Sequence, residues 1–129
     1  MSRKHFTPRQ ASRALPLVKQ IVADIIESGR ELRSCAEAGD SEENRNRLVH
    51  IGDRIRELRE ELQMIGCEYK DWTFETGLVD FPSEIDGRPV LLCWRSDEPS
   101  VAWYHDYEAG YTGRQPIPAS LLEEVEATK

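Results

Sequence analysis

Cysteine is scarce in this chain and stands in no recognisable pairing. Cys35, Cys67 and Cys93 are an odd number, and no two are in C-x-x-C spacing. That argues against a disulfide framework or a zinc knuckle and points to buried thiols in a reducing, cytoplasmic setting. No run of 18 apolar residues occurs, so no membrane-spanning helix is expected. The opening MSRKHFTPRQ lacks the apolar stretch of a secretory signal. There is no H-E-x-x-H, no closely spaced pair of histidines, no G-x-S-x-G and no glycine-rich phosphate loop. Basic residues are few in the second half: residues 1–66 hold 12 Lys and Arg against 11 Asp and Glu, whereas residues 67–129 hold 5 against 13. An acidic half repels phosphate backbones, so nucleic acid is not an expected partner.

Aromatics are missing from the first half apart from Phe6, and the other nine lie between Tyr69 and Tyr111. The two halves therefore have different tasks within 129 residues, a length that suits a single domain. Residues 7–66 read as a helical hairpin. Thr7 is an N-cap, Pro8 suits the first helical position, and Gln10 completes a capping box. Leu15, Val18, Val22, Ile25, Leu32 and Ala36 then recur at steps of three and four, with Gly29 in the vacant seam position. Pro16 inside this pattern predicts a kink. Gly39 and Asp40 end the first helix. In the second, Leu48, Ile51, Ile55, Leu58, Leu62 and Ile65 form an unbroken aliphatic seam of coiled-coil type, closed by Gly66 as C-cap. The short connection makes the helices antiparallel, and each spans roughly 35–45 Å. A hairpin of that length needs the rest of the chain, or a second copy, to cover both stripes. A homodimer through this seam is the expectation. The interleaved Arg and Glu around it (Arg54, Arg56, Glu57, Glu60) read as a solvated face.

Residues 67–129 read as a small antiparallel β-sheet followed by a short C-terminal helix, so the fold class is α+β. The predicted strands are CEYKDW, GLVDFP closed by Pro82, PVLLCWR and SVAWYHDY, with a tight turn at Asp86-Gly87. GRQPIP reads as a loop, and PASLLEEVEATK as the helix, with Leu121, Leu122 and Val125 inward. If residues 96–99 close a regular hairpin, Arg95 faces Ser100, Leu92 faces Trp103 and Val90 faces His105. Alternation then places Val90, Leu92, Trp94, Val101, Trp103, His105 and Tyr107 on the heavier, helix-covered face. Leu91, Cys93, Arg95, Ala102, Tyr104 and Asp106 fall on a mixed face that lines a surface or cleft. The tryptophans and tyrosines are then mostly sheet core.

The polar remainder holds the candidate chemistry. His105 beside Asp106 is the minimum for a general base or a metal ligand, and Asp80 and Glu98 are the carboxylates that could join it. Cys93, mid-strand among apolar neighbours, reads as an inert thiol. Arg114, between glycines in GYTGRQP, is a candidate for anion binding, or a turn residue paired with the acidic sheet.

FTPRQASRALPLV, the hairpin, GCEYKD, GLVDFP, GRPVLLCWR and WYHDYEAGYTGRQP together resemble the bacterial family called domain of unknown function 2203, over residues 6 to 117. The resemblance implies a helical hairpin joined to a small β unit and brings no activity with it. Its pattern runs through Glu68, Lys70, Asp71, Gly77, Asp80, Trp94, Arg95, Glu98, His105, Gly110, Gly113 and Arg114, which locates a candidate site without explaining it. The leading expectation is thus a cytoplasmic homodimeric interaction or scaffold module whose acidic aromatic sheet binds a ligand or protein partner, with no cofactor. The alternative is a small metal-dependent enzyme, hydrolase-like and centred on His105, holding a divalent ion.

Overall fold

The structure, a computed structural model, describes residues 5–122. Helix α1 (Pro8–Glu37) starts at the expected capping box: Thr7 accepts from the Gln10 amide and the Gln10 side chain accepts from the Thr7 amide. It passes through Pro16 without interruption. Helix α2 (Glu42–Ile65) starts at Ser41, whose hydroxyl accepts from the Asn44 amide at 3.1 Å. Glu42 and Glu43 lie in its first turn, where the helix dipole favours negative charge. It stops at Gly66 (φ 112°), a left-handed cap that side-chain-bearing residues adopt only at a cost.

A five-stranded antiparallel sheet follows, β1 (Glu68–Tyr69), β2 (Leu78–Ile85), β3 (Arg88–Arg95), β4 (Trp103–Asp106) and β5 (Gln115–Pro116), in that spatial order. A single 3₁₀ turn, Tyr111–Gly113, precedes β5. The β2–β3 turn is the expected Asp86-Gly87 pair, with φ of 53° and 77°, the positive values of a type I′ hairpin. Two expectations are corrected. Pro82 does not close β2, which continues to Ile85. Strand β1 pairs only as far as Asp80, so beyond that point β2 is an edge where a proline forfeits no ladder bond; the Pro82 carbonyl takes the Phe6 amide at 2.7 Å. The expected loop GRQPIP supplies β5. The C-terminal helix begins at residues 119–122, with Leu121 and Leu122 half-buried on the core, and Val125 lies outside the described residues.

One apolar cluster joins the helices to the sheet. Val18, Val22, Ile25, Leu58 and Leu62 meet Val79, Phe81, Val90, Leu92 and Trp94 in it, and nearly all are fully buried. A second cluster near the hairpin connection is built from Cys35, Ile51 and Ile55, flanked by Leu32, Leu48 and Phe74. Cys35 takes the place expected for Ala36, which is exposed, because the connection returns over that side and brings the Asn44 carbonyl to the Cys35 thiol. The aliphatic seam of α2 is therefore covered largely by its own chain: Ile51, Ile55, Leu58 and Leu62 are buried, and Leu48 and Ile65 half-buried. The gap at Gly29 is filled by the Phe74 ring rather than by the opposing helix, and a Cβ there would lie 2.1 Å from the ring.

Gly77 fixes the distance between sheet and helix. Its amide and carbonyl both bond Ser96, at 2.9 and 2.8 Å. A Cβ at Gly77 would sit 2.3 Å from Val22 Cγ1 on α1. Gly77→Ala is expected to cost about 1–3 kcal/mol by overpacking. Gly52→Ala, on an open helical position with nothing within 4 Å, is expected to gain up to about 1 kcal/mol. Urea denaturation of the two variants reads this contrast, and equal effects would contradict the packing account.

Candidate metal centre

The chemistry of the outer sheet face follows from register. In β2–β3 the two-residue turn sets Asp80 opposite Cys93, so both side chains leave the same face. In β3–β4 Cys93 is opposite Trp103, Leu92 opposite Tyr104 and Leu91 opposite His105. This is one residue away from the hairpin expected from the sequence. Because side-chain direction alternates, the slip turns Trp103 and His105 over to the Cys93 face and Tyr104 to the helix-covered face. The cause lies in the connection after β3. Glu98 caps it, its carboxylate accepting from the Arg95 amide at 2.7 Å and its carbonyl from Trp94 Nε1 at 3.0 Å. Val101 is buried in the core, and pairing resumes only at Trp103.

Asp80, Cys93 and His105 thus converge from three adjacent strands, with one ligand atom of each within 4.8 Å of the other two, and all three residues are buried. His105 Nε2 lies 3.3 Å from Asp80 Oδ1, and Nδ1 lies 2.8 Å from the Asp106 carbonyl. A carbonyl only accepts, so Nδ1 carries the hydrogen and donates it. Nε2 is then left facing the Asp80 carboxyl. The same arrangement, an imidazole oriented by an Nδ1–H bond to the backbone with Nε2 directed at oxygen and sulfur donors, is how proteins prepare a histidine for a metal. Tetrahedral ligands with bonds of about 2.0–2.3 Å stand about 3.3–3.8 Å apart, and the Asp80–His105 pair already has that spacing.

The electrostatics favour the protonated forms of the carboxyl and the thiol. Burial pushes the Asp80 carboxyl above its ordinary range, against the lowering effect of His105. Burial, then the Asp80 charge, pushes the Cys93 thiol up to about 12, and the thiol is hydrogen-bonded to Asp80. The apolar setting from which Cys93 reads as an inert thiol does raise its pKa, and its place beside Asp80 and His105 is what sequence reasoning missed. A carboxyl raised on folding takes up protons in the folded state, so its stabilising contribution is complete below the ordinary carboxylate range and is lost as pH rises through the raised value. Asp80→Asn keeps the shape and removes this titration. In metal-free protein the wild type is expected to lose stability relative to Asp80→Asn as pH rises from 4 to 7. Parallel denaturation curves over that range would contradict the assignment.

The other sequence candidates lie elsewhere. Asp106 points away from His105 along the strand alternation and its carboxylate is 3.6 Å from Arg88; only its carbonyl serves the site. Glu98 is bound to Arg114 at 2.6 Å. The Arg114 guanidinium also donates to the Cys93 carbonyl at 3.2 Å, and lies 5.0 Å from the Trp103 ring centroid and 4.8 Å from that of Tyr111. Arg114 is therefore sealed by a carboxylate and two rings rather than open to an anion, and it braces the strand that carries Cys93. Asp71 organises the β1–β2 connection by accepting from Thr73 and Thr76.

Two clefts border this cluster, one over all three side chains and one reaching Asp80 alone of them. The smaller, about 320 Å³, is lined by Asp80, Cys93, His105, Lys70, Leu78 and Tyr111, among others. The larger, about 490 Å³, shares Lys70, Asp80, Leu91 and Tyr107 with it and runs on to Pro82 and Met64. The site is thus built into a sheet, yet bordered by a concavity.

A family model described as "Uncharacterized conserved protein (DUF2203)" matches residues 4–117. No curated protein and no solved structure matches the chain.

Proposed function

The chain belongs to the DUF2203 family, which supplies no activity to inherit, and from the geometry we propose that it binds one divalent transition metal of the zinc class at Asp80, Cys93 and His105. The observation that carries this is the convergence of a carboxylate, a thiol and an Nε2 whose partner nitrogen is committed to a backbone carbonyl. Mixed oxygen, sulfur and imidazole donors suit zinc, and disfavour magnesium and calcium, which prefer all-oxygen sets. Three protein ligands bordering a cleft leave a fourth position to an exchangeable ligand, as in catalytic rather than structural zinc centres. An ion so held supplies Lewis-acid or bound-water chemistry, and hydrolysis is the reaction class it favours. Cobalt(II) titration tests this. The expected result is one equivalent bound with a sulfur-to-cobalt charge-transfer band, lost in Cys93→Ser and weakened at least about tenfold in Asp80→Asn and His105→Ala. Cobalt bound without that band, or equally by all variants, would refute the site.

Self-association through the hairpin, with the outer sheet face as a partner surface, is the second reading, and its support is the uninterrupted aliphatic seam of α2. Coverage of that seam within one chain removes the need for a second copy. Leu58→Glu cannot decide the matter, because Leu58 belongs to the main core. The mass of the wild type by light scattering does: a dimer at micromolar concentration supports self-association, and a monomer ends it.

A further inference from the structure

We infer that the cleft over Asp80, Cys93 and His105 takes a small organic anion, its charged head at the ion's open position beside Lys70 and its apolar body along Leu91 and Pro82. This rests on the metal reading above.

The argument begins with charge. A divalent ion held by one carboxylate, one thiolate and a neutral imidazole has no net charge, and the nearest further charged groups decide what the open position prefers. Lys70 follows β1, its amide bound to the Leu78 carbonyl at 2.8 Å, and it lines both clefts with Asp80. Its ammonium already acts on the Asp80 charge. The opposing charge is Glu68, 3.8 Å from Lys70 Nζ and itself exposed. The remaining nearby cations are committed elsewhere: Arg95 to Asp97 and the Tyr111 hydroxyl, Arg114 to Glu98. Lys70 is therefore the cation that an incoming anion meets.

Shape supplies the second half. The two clefts adjoin, sharing Lys70, Asp80, Leu91 and Tyr107 in their walls, and together they outline a trough. From the metal ligands it runs past Leu91 and Pro82 toward Met64, which is 87% exposed and free to fold over an apolar body. Charged groups at Lys70 and Asp80 beside an apolar stretch formed by Leu91, Pro82 and Met64 give the mixed lining of a small-molecule pocket.

The test uses full-length protein loaded with cobalt(II) and a series of straight-chain monocarboxylates from acetate to hexanoate. Each acid is expected to perturb the cobalt spectrum, with affinity rising about two- to fourfold per methylene as the chain lies along the trough. With cobalt saturating in each protein, Lys70→Glu is expected to weaken hexanoate about fivefold, and Glu68→Gln to tighten it about two- to fivefold. A cobalt spectrum that no acid perturbs, an affinity independent of chain length, or an unaltered response in Lys70→Glu would overturn the inference and leave the metal site standing. Failure to load cobalt at all would overturn the metal reading itself, so the two failures are distinguishable.

Discussion

Arg114→Ala is expected to destabilise the fold by about 3–5 kcal/mol, the range for removing one partner of a buried ion pair. The Arg114 and Glu98 side chains are only 11% and 13% exposed, so little water is at hand to replace the lost partner. The variant also removes a guanidinium packed against Trp103 and Tyr111, and the bond it donates to the Cys93 carbonyl. Arg114→Lys is expected to recover little, since an ammonium on a flexible stem cannot stack on two rings and bond two oxygens from one plane. The double variant Arg114→Met, Glu98→Gln should lose less than Arg114→Ala alone, because no buried charge is left without a partner. Urea denaturation measures all three. A loss below about 1 kcal/mol for Arg114→Ala would show that the pair is solvated and does not brace the sheet.

Zinc is expected to raise the thermal midpoint of the wild type by on the order of 10 °C or more. At a free concentration 1,000 times the dissociation constant, binding to the folded state alone adds about 4 kcal/mol, and a domain of this size gains several degrees per kcal/mol. The shift should grow with pH, because the thiol, pushed up to about 12 by burial, must lose its proton to the ion. Asp80→Asn is the informative control. It should fold at least as well as the metal-free wild type above the ordinary carboxylate range, since the amide can donate to His105 Nε2 without a buried charge, and yet show little of the zinc-induced shift. Calorimetry with and without a chelator measures it. Equal shifts in wild type and Asp80→Asn would mean that the ion binds elsewhere.

Much of this molecule is legible before any coordinates. The helical hairpin is written in Thr7, Gln10, Gly66 and the aliphatic spacing of α2, all local signals whose range is one or two turns. The Asp86-Gly87 turn is equally local, and with strict two-residue pairing it already places Asp80 opposite Cys93. That is the available signal for the position of the thiol beside Asp80, and the apolar neighbours of Cys93 hide it. His105 was harder. Its face depends on how many residues β3 and β4 leave unpaired between them, and that number is decided by long-range events: the Glu98 cap, its pairing with Arg114, and the burial of Val101. One residue of error there reverses the face of the whole strand. Asp106 looked like the natural partner of His105 because it is its sequence neighbour, but adjacent residues on a strand point to opposite faces. The coverage of the α2 seam by Phe74, from a connection with no periodicity of its own, was likewise beyond local reading.

The most direct test of the central claim is elemental metal content of tag-free protein purified without chelator, measured beside His105→Ala. The account predicts close to one equivalent of a zinc-class metal in the wild type and a large loss in the variant. Equal metal in both, or none in a wild type that also fails to take up added zinc, would contradict it.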